Sequence, residues 1–270
     1  MNNQNSYIQT NGIQIHYERL DGDKIPFIFC HGITDNGRCM LRLAENLAPR
    51  FDVILVDARG HGLSDKPEKG YSSDDHADDL EGLIKGLNLE KPILYGHSMG
   101  ARTVSRFAAK YPEIPRAVIL EDPVYIVPLT QQEEIERDLW LKQMRIEIKR
   151  WKTLTQEELL EMAEEDPHPD WLLDEKKEWA VAKTQVVPQV FEIGAQMQTI
   201  REDFSRITCP VLILKADAAP QIRAANRKAA ALIPNGKIIH VKGTGHNVRR
   251  DNFTATIQLI DEFLAETIVN

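Results

Sequence analysis

Leu94-Tyr95-Gly96-His97-Ser98-Met99-Gly100 is the stretch whose reading decides the fold. An apolar run from Pro92 to Tyr95 leads into Gly-x-Ser-x-Gly, and the helix-like segment Ala101 to Tyr111 follows at once. Strand, tight turn and helix in that order form a nucleophile elbow, which presents a serine hydroxyl at the top of a sheet. Glycines at 96 and 100 suit such a turn, because a side chain at either would crowd it. A short glycine pattern alone arises by chance; the strand before it and the helix after it give it weight.

Outward from the elbow, the chain alternates strand-like and helix-like segments. Residues 6–20 alternate apolar and polar around Asn11-Gly12, the pattern of an antiparallel hairpin with a type I′ turn. His16 falls within that alternation as an ordinary strand residue. Ile25–Cys30, Phe51–Val56, Pro92–Tyr95 and Arg116–Leu120 are short continuous apolar runs, as expected of strands buried on both faces. Gly37–Leu47 and the segment opened by Ser72-Ser73-Asp74-Asp75 read as intervening helices, the latter with serine caps and acids at its positive end. His76 sits among those aspartates, and a solvated first turn is expected for it rather than a metal site.

The composition shifts at Val124. From Thr130 to Ile200 only helical patterns occur, broken by Pro167, Pro169 and Pro188, and all four tryptophans (140, 151, 171 and 179) lie here. The βα rhythm resumes with Cys209–Leu214, then Lys237–Val241, and closes on a helix from about Asp251 to Leu264. The spacing predicts an α/β fold with a mostly parallel central sheet flanked by helices. Its core comprises 1–123 and 201–270, interrupted by a helical lid, 124–200.

With 270 residues, 42% hydrophobic and 27% charged, the chain has the composition of an ordinary globular protein. A net charge of −8 argues against nucleic acid or an anionic membrane as partner. The densest basic spots, Lys149-Arg150 and Arg249-Arg250, are single pairs expected on solvated faces. The start has no basic stretch followed by an apolar block, and three cysteines without C-x-x-C spacing suit reduced thiols, so a cytoplasmic address is expected.

A serine hydroxyl needs a base within hydrogen-bond reach, a carboxylate to orient that base, and two N–H donors for the oxyanion. His246, in the Gly-rich loop after the last strand, is the base expected from the order Ser…acid…His. His31 and His61 in turns, His97 inside the elbow, His168 in a Pro-rich turn and His240 in a strand have weaker claims. The oxyanion donors expected are the main-chain N–H groups of Met99 and of Ile33, both at turn-to-helix starts.

With these residues in place, the chain resembles the α/β-hydrolase superfamily, of the single-cap type. The likeness rests on His31-Gly32, Asp57-x-Arg59-Gly60-His61-Gly62-x-Ser64, Gly96-His97-Ser98-Met99-Gly100 and Gly243-x-Gly245-His246. The resemblance also poses a problem. Most relatives carry the acid after the penultimate strand, in a Gly-x-x-Asp turn; here that turn reads Ala216-Asp217-Ala218-Ala219, with Ala219 at the acid position. A minority, some haloalkane dehalogenases among them, carry it at the end of the strand after the nucleophile helix. Alignment from Ser98 without gaps puts Asp122 there, with Glu121 one residue away and facing the other side. Asp122 is therefore the first choice, Asp217 the second and Glu121 the third.

Serine at the elbow fits acyl transfer to water. The resemblance implies hydrolysis of a carboxylic ester or lactone through an acyl-enzyme on Ser98, on a small, largely apolar substrate facing the lid tryptophans. A carbon–carbon bond or amide hydrolase would use the same triad, and a ligand-sensing protein could keep the same fold. Neither a metal cluster, a dinucleotide fingerprint nor a P-loop is visible, so no metal or cofactor is expected.

Overall fold

Asn11 and Gly12 both take positive φ, 45° and 78°, which gives the turn the right-handed twist of the strands it joins. β1 (Asn3–Thr10) and β2 (Ile13–Leu20) accordingly fold back on each other as an antiparallel pair. They open an eight-stranded sheet in a computed structural model that describes residues 3–20, 22–165, 171–192 and 200–268. His168, Pro167 and Pro169 lie outside the described residues.

The short apolar runs are the inner strands: β3 (Pro26–Cys30), β4 (Asp52–Val56), β5 (Ile93–His97), β6 (Ala117–Glu121), β7 (Val211–Lys215) and, at the edge, β8 (Gly236–His240). The order is β1-β2-β4-β3-β5-β6-β7-β8, with β2 antiparallel to β4 and every later pair parallel. Every residue of β4, β5 and β6 is buried, because helices cover both faces.

Alternate strand residues feed two cores. Ile28, Ile54, Leu94, Val118 and Ile213 face α2 (Ser73–Gly86), α3 (Met99–Lys110) and the helix Pro220–Ala230. Phe27, Phe29, Val53, Tyr95, Ile119 and Leu212 face α1 (Leu41–Leu47) and the closing helix Phe253–Ile268. The start of α2 is a capping box, Ser72 accepting from the Asp75 N–H while the Asp75 carboxylate accepts from Ser72.

Chain order along the sheet reverses at β3. The chain passes from β3 outward to β4, then returns across β3 to β5, so the loops leaving β3 and β5 diverge and open a crevice at their carboxyl ends. Ser98 stands at that crevice. Between β6 and β7 the chain makes α4 (Gln131–Trp151), α5 (Gln156–Glu164) and α6 (Leu173–Gln185), with no strand among the described residues. These helices bury a core of their own, built from Leu141, Ile148, Trp151, Leu159, Ala180 and Phe191.

Two expectations are corrected. Arg249 and Arg250 are 2% and 1% exposed, not solvated, because buried carboxylates from distant parts of the chain meet them. His76 is also buried, at 3%, on the face of α2 that packs against the sheet, where burial pushes its imidazole well below the ordinary value. Lys149 and Arg150 are exposed, as expected.

Candidate active site

The elbow is a backbone solution before it is a chemical one. Ser98 takes φ 52° and ψ −107°, a conformation that L-residues hold only when their surroundings impose it, at a cost of about 1–3 kcal/mol. Those surroundings are close. A Cβ on Gly96 would overlap the Gly100 carbonyl, and one on Gly100 would overlap the Cys30 carbonyl of β3. The Ser98 N–H donates to Glu121 O at 3.0 Å and the Gly100 N–H to His31 O at 3.0 Å, which locks the turn between β6 and β3.

Register then places Asp122. His97 lies opposite Glu121, so the next residue on each strand, Ser98 and Asp122, leave the sheet side by side. The Asp122 N–H donates to Leu214 O at 2.7 Å, and φ of 38° swings its carboxylate out over the sheet edge. Asp122 Oδ2 accepts from His246 Nδ1 at 2.6 Å. Its Oδ1 lies 2.6 Å from Lys215 Nζ and accepts from the Ala216 N–H at 3.1 Å. Burial alone would raise the pKa of this carboxyl. The His246 bond and the Lys215 ammonium outweigh it and hold Asp122 below the usual carboxylate range.

The other two carboxylates point elsewhere. Glu121, fully buried on the opposite face, accepts from the Arg249 N–H, the Arg249 guanidinium and the Tyr95 hydroxyl, each at 2.8 Å. Asp217 accepts from the Gly243 N–H at 2.8 Å and the Ala218 N–H at 2.8 Å, and pairs with Arg223. It braces the loop that carries His246 without reaching the imidazole.

His246 is held by groups that sequence patterns do not mark. His97 Nε2 donates to the His246 carbonyl at 2.9 Å; this ring, pushed down to about 4 by burial, packs 4.8 Å from that of His246. Asp251 accepts from the Gly245 N–H at 2.8 Å. Lys215, Asp251 and His97 could have been suspected only from their positions beside strand ends and the His246 loop.

The turn that carries Ile33 is braced in the same manner. His61 Nε2 lies 2.7 Å from Ile33 O and its Nδ1 2.8 Å from Arg59 O, while Asp57 accepts from the Gly37 and Leu63 N–H groups and from His16. Arg59 in turn makes a two-point bond to Asp79 at 2.6 Å. The Asp57-to-Ser64 motif is thus the scaffold behind Ile33. Beside it, Lys183 of α6 donates to Thr34 O at 2.7 Å and Thr34 Oγ1 at 2.8 Å, and lies 3.2 Å from Asp35.

Ser98, His246, Met99 and Ile33 all line one cavity of about 370 Å³. Its other walls include Trp140, Trp171, Trp179 and Met144 from the helical segment, and two guanidinium groups, Arg102 and Arg250. Trp151 is buried within the helical core, and Trp179 packs against that core while also lining the cavity.

Fold and crevice together define a hydrolase of the α/β type. A family model for the alpha/beta hydrolase fold matches residues 25–249, and the chain belongs to this family. It is 32% identical over 259 residues to a 2-(acetamidomethylene)succinate hydrolase of Mesorhizobium japonicum, covering 91% of this chain and 90% of that protein. The solved structure of an E-2-(acetamidomethylene)succinate hydrolase superposes with a TM-score of 0.80 at 27% identity, over 98% of this chain and 100% of the other. That of an N-formylmaleamic acid deformylase from Pseudomonas putida S16 gives 0.76 at 25% identity, over 95% and 100%. No described helix is long and apolar enough to cross a membrane.

Proposed function

We propose that this chain is a serine hydrolase that opens an amide-type carbon–nitrogen bond in a small carboxylate-bearing compound, through an acyl-enzyme on Ser98. The observation that carries the reading is the elbow serine facing the same cavity as a histidine whose Nδ1 is bound by Asp122. In this reading Asp122 fixes the imidazole with its proton on Nδ1, which leaves Nε2 free to accept the Ser98 proton. Ser98 Oγ attacks the acyl carbon, and the charge that develops on oxygen is met by the main-chain N–H groups of Ile33 and Met99. His246 returns the proton to the leaving nitrogen, the carbon–nitrogen bond breaks, and a water activated by His246 frees the acid and Ser98. One oxyanion donor is typically worth on the order of 2.7–4 kcal/mol of transition-state stabilisation.

The choice of amide over ester rests on the relatives. An acetamidomethylene succinate and an N-formylmaleamic acid, as their names state, both carry an acylated nitrogen and at least one carboxylate. The ester or lactone cleavage expected from Ser98 runs through the same intermediate and remains within reach of the same groups. Residues 124–200 act as the lid in this proposal, with Trp140, Trp171, Trp179 and Met144 as the apolar wall against the acyl or leaving group.

The test is a paired panel of N-acyl enamine dicarboxylates, their neutral diesters, and short-chain nitrophenyl esters. The expected result is a kcat/KM for the carboxylated amides above that of the neutral esters, abolished in Ser98→Ala. Turnover that survives Ser98→Ala rejects the mechanism; esters outpacing amides rejects the substrate class.

A further inference from the structure

Arg250 is an unusual residue for a cavity wall. Its side chain is 1% exposed, its Nε is a buried donor without a hydrogen-bond partner, and NH2 makes only a long bond, 3.4 Å, to Cys39 O. The nearest carboxylates, Asp35 and Glu175, stand 3.9 Å away, within ion-pair range but beyond hydrogen bonding. The guanidinium carbon lies over the Trp171 ring, 4.3 Å from its centroid, in cation–π contact. Buried guanidinium donors are normally satisfied, and a fork left unfilled at a substrate cavity marks a ligand position.

Charge points the same way. The ion pairs linked within 4 Å run from Glu121 through Arg249 to Asp35, then to Lys183 and Arg250, then through Glu175 to Arg42. That chain holds three carboxylates and four cations, one positive charge in excess. A carboxylate arriving in the cavity would balance it, and it would find Arg250 pre-oriented by the Trp171 contact and by its place on the helix Val248–Asp251, directly after His246 and Asn247.

We propose that Arg250 is the specificity residue that binds a carboxylate of the substrate, in a two-point contact through its guanidinium edge. This inference deepens the hydrolase reading and rests on it. It also explains how one loop could serve both ends of a ligand: His246 handles the scissile bond while Arg250, four residues on, holds the anionic group that places that bond over Ser98.

Succinate and its neutral diamide, succinamide, are the probes. In the wild-type protein succinate slows labelling of Ser98 by a fluorophosphonate and succinamide does not. Arg250→Lys keeps a positive charge but loses the planar fork, and weakens the protection by about tenfold or more. Equal protection by the two probes, or succinate protection unchanged in Arg250→Lys, overturns the proposal. So does protection lost in Arg102→Gln alone, which would assign the anion to the other guanidinium. A crystal structure of the wild-type protein with succinate needs no variant: a carboxylate on the Arg250 guanidinium supports the assignment, and one bound elsewhere refutes it. The two readings fail separately. If Ser98 takes no label, the hydrolase reading fails, and the melting temperature with succinate against succinamide still reports the anion site.

Discussion

Replacing Asp122 by Asn changes one oxygen to an amide nitrogen and almost nothing in shape. The native carboxylate serves two partners, His246 Nδ1 and Lys215 Nζ, each at 2.6 Å, and a third, the Ala216 N–H, at 3.1 Å. All three are donors, and Asn brings a donor of its own, so one contact must invert. If the amide NH₂ turns to His246, Nδ1 becomes an acceptor, the ring proton moves to Nε2, and the imidazole can no longer take the Ser98 proton. Losing an orienting carboxylate in this way lowers kcat by up to roughly 10⁴, or about 5.5 kcal/mol of barrier. Stability falls less. Lys215, 13% exposed, loses its charge partner, a cost of about 1–3 kcal/mol that lowers Tm by roughly 2–4 °C for each kcal/mol. Steady-state turnover, alongside calorimetry of the same variant, separates the two effects. Asp217→Asn is the control, since Asp217 bonds only the loop and Arg223, and it should retain most of kcat. Near-normal turnover in Asp122→Asn with loss in Asp217→Asn would refute the reasoning.

Glu121→Gln removes the carboxylate hydrogen-bonded to the fully buried Arg249, leaving it only the longer pair to Asp35 at 3.7 Å, and should destabilise the fold by about 3–5 kcal/mol in denaturant titration. His61→Ala removes the brace on the Ile33 carbonyl; kcat should fall roughly tenfold, short of the 10²–10³ for outright loss of an oxyanion donor, with KM little changed. Gly100→Ala drives a Cβ into the β3 backbone and should yield insoluble protein or a Tm too low to measure. Asp35, Glu121 and Asp122 are all held below the ordinary carboxylate range despite burial, by Lys183 and the arginines, by Arg249, and by His246 and Lys215 respectively. Carboxyls lowered on folding stabilise above their unfolded values, about pH 4, and that stability drains away as pH falls further. Melting curves from pH 7 to pH 3 should show the loss concentrated below pH 4, and less steep in Asp122→Asn.

The strands were legible because burial on both faces leaves no ambiguity: Ile93–His97 and Ala117–Glu121 have no solvent side to encode. The elbow was legible because two close backbone approaches admit only glycine. Asp122 was reachable as a candidate because the gapless stretch from Ser98 to that strand end is short enough to align with the minority of relatives that carry an acid there. Arg249-Arg250 was misread for the opposite reason. An adjacent pair of cations is ordinarily solvated, and the carboxylates that bury this one lie far off in sequence, Glu121 by 128 positions. His76 failed similarly: its aspartate neighbours describe a helix start, but the ring points the other way, into the core. The bracing by His97 and His61 left no signal because each acts on a main-chain carbonyl, which any residue supplies.

The helices between β6 and β7 grip the segment after β3 at several points: Lys183 on Thr34 and Asp35, Gln185 on Asn36, and Glu178 on Arg38. Asp122 and His246 are fastened mainly from the core: Asp122 to Lys215 and Ala216, His246 to His97, and the following helix to Glu121 through Arg249, with Trp171 reaching across to Asp251. Selection can therefore rewrite much of the helical insert for new molecules while the Asp122–His246 pair stays fixed, and shift the segment after β3 separately through Lys183, Gln185 and Glu178. A chimaera that exchanges 124–200 but keeps these three residues should hold that segment in place; one that drops them should keep only the Asp122–His246 pair in order.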